Sequence, residues 1–359
     1  MPGGAIQPLA RAAVCALLGD AAPPIASVQD DVLAVARVEG VHLLLADRLR
    51  LPAFAGELRE AAVVEDVRAH ELRAVLAAMT AAGVRPILLK GAALARTHYP
   101  RPELRPRSDT DLMIPASARD VVARTLIGLG YARAVEVDGE LAIGQFHFQK
   151  HDRHGLFHAL DVHWRVSNVR VFADVLTYEE LAHDAVPVRA LGANAWSPSS
   201  AHALLVACVH RVAHHDDTDD LLWLFDVHLL ARSFTLHERD AFTELASARR
   251  MRAVCARTLS LAQAAFGGID VEWIGRLSAA GAFTEASAAF VGGGLRQVDI
   301  LRADLVATKR WTARLQLLRE HLFPRPAFMY ERYGMRRPLA LPWLYLRRIV
   351  TGLPKWFRR

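Results

Sequence analysis

Apolar positions along the chain change their spacing twice, and this divides the sequence into a helical, a mixed and a second helical stretch. Over residues 5–80 they recur three and four positions apart, for example at Val63 and Val67, which is the period of an amphipathic helix. Residues 84–89 (VRPILL) instead form a short apolar run of β type. From residue 199 onward the helical period returns. The pattern predicts a central sheet flanked by helices.

The central stretch predicts an α/β sheet of mixed direction over residues 84–192. The predicted strands are 84–89, 109–114 and 131–137, followed by two hairpin arms at 146–151 and 156–165. Helices are expected to begin at residue 92 and to cover residues 117–129. The tetrapeptide DRHG at 152–155 has the composition of a hairpin turn.

The helical stretches predict the outer parts of the molecule. In the second of them the clearest helical segments are 201–213, 219–231, 239–266 and 298–321. We expect four parts along the chain: an N-terminal helical region (1–80), an α/β domain (81–192), a C-terminal helical domain (193–325) and a basic, aromatic C-terminal segment (326–359).

Composition narrows the class of protein. Apolar residues make up 52% and charged residues 23% of the 359 residues, which excludes a disordered or fibrous chain. The formal net charge of +6 fits a polyanionic ligand such as a nucleotide, and we do not expect nucleic acid as a partner.

Cysteine use and the N-terminal sequence suggest a compartment. Cys15, Cys208 and Cys255 are far apart and form no CxxC pair, so no disulfide framework or thiolate zinc site is expected. The apolar run 12–18 is too short to span a membrane; we interpret it as a core helix, with a signal peptide as the alternative. We expect a cytoplasmic protein.

Two aspartates in the predicted strand 109–114 (DTDLMI) are the first candidates for chemistry. Residues i and i+2 of a strand project on the same face, so Asp109 and Asp111 place two carboxylates side by side. Two adjacent carboxylates repel each other when both are ionised, and a cation between them removes this repulsion. Mg²⁺ is the expected partner, because it takes oxygen ligands and keeps coordination positions open for phosphate oxygens.

A second metal ion would need a further carboxylate from another strand, and Asp161 is the candidate. In the predicted hairpin arm, alternation places Asp161 and His163 on the face opposite Leu160 and Val162. A charged residue on such an apolar strand is costly unless that face opens into a site. The alternative is that each acid caps a loop, lies at the surface or pairs with an arginine.

Several short motifs follow one another in a characteristic order. They are LKG (89–91), R-P ahead of DTD (105–111), DVHW (161–164), CVH (208–210) and WLFD (223–226). This ordered set resembles the bacterial uncharacterised nucleotidyltransferase family, which belongs to the DNA polymerase β-like nucleotidyltransferase superfamily. The resemblance covers about residues 80–230. A DxD pair by itself is a weak signal, whereas the ordered set is much more specific.

The resemblance implies a minimal nucleotidyltransferase sheet in which Asp109, Asp111 and Asp161 hold two Mg²⁺ ions, with Mn²⁺ as an alternative. The implied reaction transfers a nucleoside monophosphate from a nucleoside triphosphate (NTP) by in-line attack on the α-phosphate, and pyrophosphate leaves. The acceptor stays open among a sugar, a peptide and a protein.

The same resemblance suggests which residues contact the triphosphate. Gly91 would let phosphate approach the N-terminus of the following helix, where backbone N–H groups and the helix dipole favour an anion. Lys90 and Arg105 are the cations best placed to contact phosphate oxygens, and Arg107 is a lesser candidate. His163 would bond a phosphate or a carboxylate beside Asp161.

One departure from the superfamily leaves a different function open. The usual Gly-Gly or Gly-Ser pair is Gly91-Ala92 here, so a serine hydroxyl that would contact phosphate is missing. The interval from Gly91 to Asp109 is also longer than in the simplest members. The alternative is a regulatory module that binds nucleotide without turnover.

A histidine cluster in the second helical stretch suggests another alternative. His210 and His214 are four residues apart, a spacing suited to zinc on one helix face, and His215-Asp216 resembles the HD pair of metal phosphohydrolases. That reading predicts a metal-dependent phosphohydrolase using His214, His215 and Asp216. Against it, aspartates crowd the following loop as in ordinary helix capping.

The segment 326–359 mixes arginines with tyrosines and tryptophans. Such a mixture is compatible with nucleic-acid contact, with a helix on an anionic membrane surface, or with aromatic packing on the domain. Our hypothesis is that this segment makes peripheral contact with a membrane.

Overall fold

The computed structural model of the protein describes residues 3–19, 28–134, 139–335 and 337–356. Its α-helices are α1 (Gly3–Leu18), α2 (Asp30–Val38), α3 (His42–Arg48), α4 (Ala55–Ala81), α5 (Lys90–Thr97), α6 (Arg119–Gly128), α7 (Arg170–Ala173), α8 (Tyr178–His183), α9 (Ser200–His214), α10 (Leu221–Arg232), α11 (Leu236–Ala248), α12 (Arg252–Phe266), α13 (Val271–Leu277), α14 (Gln297–Ala307), α15 (Trp311–Leu322), α16 (Pro326–Tyr333) and α17 (Leu341–Trp356). Short 3₁₀ turns lie between several of them. Within this part of the chain, no helix is both long and apolar enough to cross a membrane.

A mixed sheet lies at the centre of the molecule. Its strands in the described residues are β1 (Ile87–Leu88), β2 (Thr110–Met113), β3 (Ala132–Arg133), β4 (Gln145–His151), β5 (Phe157–His163), β6 (Val186–Pro187) and β7 (Trp196–Ser197). They lie in the order β3-β4-β5-β2-β1-β7-β6. β2 is parallel to β5 and β1 is parallel to β7, while the other neighbours are antiparallel. The predicted mixed α/β class is confirmed.

The pairing of β2 with β5 brings acidic residues that are distant in sequence into register. In this parallel pair Asp111 lies opposite Asp161, and Met113 lies opposite His163. On the other side of β5, the antiparallel strand β4 places His147 opposite Asp161. Three adjacent strands therefore contribute polar side chains to one part of the sheet.

The two faces of the sheet pack against different helices. Leu112, Leu160 and Val162 are buried in a core that also contains residues of α4 and α6. Because alternate residues of a strand point to opposite faces, Asp161 and His163 point to the other side, into a cavity that α9 and α10 also line. The predicted alternation of this strand is confirmed.

The N-terminal helices are integrated with the second helical stretch. Residues of α1 to α3 share one hydrophobic core with residues of α9 to α13. Burial of such a continuous apolar surface is the main stabilising contribution to a fold of this kind. The division of the chain into four parts stays a prediction.

Two helices that the periodicity predicted as continuous are each interrupted. The expected helix 239–266 is replaced by α11 and α12, because Arg250 between them adopts a left-handed conformation with φ of +57°. The expected helix 298–321 is replaced by α14 and α15, because Thr308 takes an extended conformation. Apolar residues resume a helical period after each break, so periodicity alone did not reveal the interruptions.

The predicted hairpin is confirmed, and the strand before it is confirmed only in part. Asp152 begins the turn and accepts hydrogen bonds on Oδ1 from the backbone N–H groups of His154 (2.8 Å) and Leu156 (2.9 Å). The expected strand 131–137 is represented by β3, and its positions 135–137 lie outside the described residues.

Candidate active site

A cavity of about 440 Å³ lies between the sheet and the helices α9 and α10. The sheet side and the turns next to it contribute Lys90, Gly91, Arg105, Arg107, Asp109, Asp111, Asp161 and His163. The helical side contributes His210, His214, His215, Trp223 and Asp226. All eight predicted site residues therefore line one cavity. Their individual roles stay predictions.

Asp111 is held in this cavity by two side-chain hydrogen bonds. Its Oδ1 accepts hydrogen bonds from Lys90 Nζ at 2.7 Å and from His163 Nε2 at 2.8 Å. Burial on its own would raise the pKa of Asp111, but Lys90 and the hydrogen bond from His163 outweigh burial and hold the pKa well below its usual range. The carboxylate is therefore ionised.

Asp161 and Asp109 extend the negative charge around Asp111. The Oδ2 of Asp161 lies 3.2 Å from His147 Nε2, and its side chain is less deeply buried than that of Asp111. Burial raises the pKa of Asp109, and the neighbouring charges of Asp111 and Asp161 raise it further. Electrostatic crowding of this kind favours a bound cation.

Asp111, Asp161 and His163 form the group of potential metal ligands in the described residues. One ligand atom from each lies within 4.8 Å of the others. Carboxylate oxygens suit Mg²⁺ or Mn²⁺, and an imidazole nitrogen suits Mn²⁺ or a softer metal. Asp109 lies beside this group rather than in it, and the predicted binding of metal by Asp109, Asp111 and Asp161 stays a prediction.

Lys90 has an uncommon backbone conformation for a residue with a side chain. It is the first residue of α5 and has a φ of +50°. Non-glycine residues in this left-handed region carry a conformational cost on the order of 1 kcal/mol or more, and such residues cluster at functional sites. Here the conformation accompanies an ammonium group that contacts Asp111.

Gly91 is required by the close approach of a neighbouring side chain. A Cβ at this position would lie 2.7 Å from Nη1 of Arg105 and 2.9 Å from its Cζ. That guanidinium group cannot move aside freely, because it is bonded to Asp226. The glycine therefore has a packing reason in addition to the predicted contact with phosphate.

We expect Gly91→Ala to lower the free energy of unfolding by about 1–3 kcal/mol, because the added methyl group collides with Arg105. Urea unfolding followed by circular dichroism measures the change. Gly56→Ala is the matched control in α4, where a Cβ meets nothing within 4 Å, and it should be neutral or stabilising by up to about 1 kcal/mol. Equal effects of both substitutions would contradict the packing argument.

Arg105 and Asp226 form a buried ion pair that joins the loop before β2 to α10. Arg105 Nη2 donates to Asp226 Oδ2 at 2.6 Å, and its Nε donates to Oδ1 at 3.2 Å. The hydroxyl of Tyr99 also donates to Oδ1 at 2.8 Å. Burial acts to lower the pKa of Arg105, but Asp226 outweighs it and raises that pKa. The acid of the WLFD motif thus has a structural role.

Arg107 is also engaged within the fold. Its Nη2 donates to Glu65 Oε1 of α4 at 2.9 Å, and its Nη1 donates to the backbone oxygen of Asp109 at 3.2 Å. Glu65 is buried and also pairs with Arg96 of α5. Arg105 and Arg107, which were both predicted to contact phosphate, therefore stabilise the loop that carries Asp109.

Histidines and a tryptophan form the opposite wall of the cavity. The rings of His215 and Trp223 have their centroids 3.7 Å apart, and His215 Nε2 lies 3.0 Å from His210 Nε2. Burial lowers the pKa values of His210, His214 and His215. At neutral pH this wall is therefore uncharged, aromatic and able to form hydrogen bonds.

Among the described residues, His214, His215 and Asp216 do not form a potential metal-binding group of the kind that the phosphohydrolase alternative needs. Asp216 does not join His214 and His215 around a common point; its Oδ1 accepts a hydrogen bond from the backbone N–H of Gly294 at 2.8 Å. His214 and His215 belong to none of the potential metal groups found in this part of the chain. Asp216 instead holds the glycine-rich loop, because its side chain caps a backbone N–H there.

The depressed pKa of His214 predicts a loss of stability in acid. Burial, followed by the charges of Lys90 and His163, lowers this pKa to about 3. An unfolded histidine titrates near pH 6.5, so between these values only the unfolded chain binds the proton. Stability is fully present above the unfolded pKa and decreases as the pH falls toward 3, by at most about 1.4 kcal/mol per pH unit.

We expect His214→Asn to flatten this dependence. Urea unfolding of both proteins at pH 7 and pH 5 measures it, and the variant should lose less stability on acidification than the wild type. The same loss in both proteins would show that His214 titrates normally.

Sequence reasoning missed Glu65 and His147, which contact residues that line the cavity, and it missed the position of the histidine wall. Glu65 gave no signal, because a single acid in a long helix is usually solvated. His147 was missed, because its proximity to Asp161 depends on the register of β4 with β5. The wall formed by His210 and His215 was treated as a separate cluster, since nothing in the spacing relates α9 to the sheet.

Fold and cavity together define an α/β protein with a site suited to a divalent cation and an anionic ligand. The chain belongs to the uncharacterised nucleotidyltransferase family, whose family model matches residues 27–267. The match includes both walls of the cavity and confirms the family resemblance of the motifs. No curated protein matches the chain significantly. Membership of a nucleotidyltransferase family implies an NTP substrate.

Proposed function

We propose that this protein transfers a nucleoside monophosphate from an NTP to an acceptor that is a sugar, a peptide or a protein, and releases pyrophosphate. The proposal depends on one observation above all. Asp111 and Asp161 lie in register on adjacent parallel strands, and with His163 they form a compact ligand group in a cavity. Phosphoryl and nucleotidyl transfer need charge neutralisation and positioning more than covalent chemistry.

The cation site would consist of Asp111, Asp161 and His163, with Asp109 as the acid that binds a second ion. The donor set fits Mg²⁺ or Mn²⁺, because it is dominated by carboxylates and carries surplus negative charge. When bound, such ions act as Lewis acids that stabilise the charge developing on the phosphate oxygens. Lys90 and His163 would then give up their hydrogen bonds to Asp111, Lys90 to contact the triphosphate and His163 to contact the cation.

The cations around the cavity would orient the triphosphate. Lys90 lies at the first turn of α5, whose N-terminal N–H groups favour an anion. Arg105 and Arg107 contribute positive charge to the same side, although their hydrogen bonds hold the loop. Lys90 and the N-terminus of α5 would bind the leaving pyrophosphate, and the two arginines would add positive charge from within the fold.

The helical wall would bind the nucleoside. Trp223 and His215 offer aromatic surface, and the uncharged His210 offers a hydrogen-bonding nitrogen. An uncharged aromatic wall suits a base, which is planar and polar only at its edge. The triphosphate would then extend from this wall toward the aspartates on the sheet.

In the proposed reaction an acceptor oxygen attacks the α-phosphorus, and the bond from this phosphorus to the bridging oxygen breaks. Asp161 is the candidate to receive the proton of the acceptor hydroxyl, with His147 Nε2 3.2 Å from its Oδ2. The electron pair of the broken bond leaves with pyrophosphate. This assignment balances protons and charge without a covalent enzyme intermediate.

The test incubates the full chain with Mg²⁺ or Mn²⁺, each of the four NTPs in turn, and a panel of sugar, peptide and protein acceptors. Cation-dependent pyrophosphate release, with label from the α-phosphate on an acceptor, supports the proposal. Tight NTP binding without release would instead support the regulatory module. Release of orthophosphate with no labelled acceptor would contradict nucleotidyl transfer.

A further inference from the structure

Helix α17 leaves an apolar stripe in contact with solvent. Leu339 before the helix and Trp343, Leu346 and Val350 within it are 97%, 52%, 59% and 58% exposed. Their spacing of four, three and four residues places them on one side of the helix. Leu344, on the inner side, is completely buried. The helix is therefore packed on the protein by one face and presents a second apolar face outward.

Positive charge is concentrated in the same segment. Residues 323–359 contain nine Lys or Arg residues and one Asp or Glu residue, a net charge of +8, so the remaining 322 residues carry −2. Arg332, Arg337 and Arg347 are exposed. The guanidinium group of Arg347 lies 5.4 Å from the ring centre of Trp343. Arg347 therefore lies at the border of the apolar stripe, within a segment of strong positive charge.

We propose that α17 docks on an anionic lipid surface and lies in the plane of the interface. An amphipathic helix with Trp and Leu on one face and arginines at its border is the physical pattern of an interfacial helix. The apolar side chains enter the boundary between headgroups and acyl chains, while the arginines extend to lipid phosphates. The α17 sequence contains no Asp or Glu that would oppose this contact.

The apolar stripe favours lipid over nucleic acid. A polyphosphate backbone is bound by cations and by aromatic rings that stack on bases. Leu339, Leu346 and Val350 gain nothing from such a partner, because their burial requires an apolar medium. A lipid interface is the one anionic surface that supplies both phosphate and hydrocarbon.

The segment is fixed to the rest of the molecule rather than loosely attached. Glu320 of α15 accepts hydrogen bonds from the backbone N–H groups of Glu140 (3.1 Å), Leu141 (2.9 Å) and Ala142 (2.9 Å). Arg348 of α17 donates to the backbone oxygen of His321 in α15 at 3.4 Å. Docking of α17 would therefore hold the cavity in a defined position relative to the lipid surface.

The test sediments the full chain with vesicles of phosphatidylcholine alone and with vesicles in which about one third of the lipid is phosphatidylglycerol. We expect at least about tenfold stronger partitioning onto the anionic vesicles, and a decrease of this difference at high salt. Leu346→Ser combined with Val350→Ser should weaken binding by roughly tenfold. Arg332→Gln combined with Arg347→Gln should weaken binding only to the anionic vesicles.

A matched control replaces exposed apolar residues elsewhere. Leu236→Ser combined with Val271→Ser alters side chains that are 71% and 67% exposed and should leave partitioning unchanged. The inference is overturned if the α17 variant binds like the wild type, if both vesicle types bind equally, or if duplex DNA or RNA outcompetes anionic vesicles at physiological salt. Unchanged urea midpoints verify that the variants fold.

Discussion

Asp111→Asn should reduce pyrophosphate release from NTPs on the order of 1000-fold or more, because it removes the acid that the ligand group cannot replace. A bound divalent cation supplies several kcal/mol of charge stabilisation in the transition state, and about 1.4 kcal/mol corresponds to a factor of ten in rate. The amide keeps the shape of the side chain but cannot hold the ion. Steady-state kcat/KM for pyrophosphate release measures the effect.

Calorimetry separates the loss of metal from the loss of fold. Titration of Mn²⁺ into Asp111→Asn should show much weaker binding than titration into the wild type. Asp161→Asn should weaken Mn²⁺ binding in the same way. Asp120→Asn is the matched control, since Asp120 is an exposed acid in the first turn of α6, and it should retain full activity. Undiminished release by Asp111→Asn would exclude the proposed catalytic site.

Asp226→Ala should lower the free energy of unfolding by about 3–5 kcal/mol, because it leaves the buried guanidinium of Arg105 without its partner. Both side chains of this pair are less than 10% exposed, so solvent cannot replace the lost carboxylate. The hydroxyl of Tyr99 loses its acceptor as well. Urea unfolding followed by circular dichroism gives the change.

An exposed ion pair provides the comparison. Arg276 donates to Asp240 at 2.8 Å, but these side chains are 47% and 55% exposed, so Asp240→Ala should cost less than about 1 kcal/mol. Replacing both Arg105 and Asp226 by apolar residues of similar volume should restore much of the stability, since no unpaired charge then remains buried. Similar costs for Asp226→Ala and Asp240→Ala would contradict a structural role for the buried pair.

These two expected results distinguish residues of the proposed catalytic site from residues that stabilise the fold around it. Asp111→Asn should abolish turnover and Mn²⁺ binding, whereas Asp226→Ala should act first on stability. A chain that folds normally, binds Mn²⁺ through Asp111 and yet releases no pyrophosphate would indicate the regulatory alternative. The proposed lipid contact of α17 would be unaffected by either substitution, because it involves a different surface.

The sequence was sufficient for features that depend on near neighbours. Local alternation and turn composition predict the mixed α/β class, the hairpin around Asp152 and the shared face of Asp161 and His163. Trp164, next to strand β5, is buried, with its ring centre 4.5 Å from that of Phe146. The candidate acids were recognised because their spacing and apolar surroundings are local signals too.

Tertiary structure decided what depends on residues far apart in the chain. The sequence does not contain the register that places Asp111 beside Asp161, since one residue of slippage would turn either side chain to the other face. It does not reveal that Arg105 pairs with Asp226. The arginine that was expected to contact phosphate is therefore engaged within the fold. The approach of His210 to the sheet arises from packing of α9, and helix packing is set by side-chain surfaces that meet only in the folded chain. The chain's local patterns thus determined which residues could take part in chemistry, and non-local packing decided which of them share one cavity.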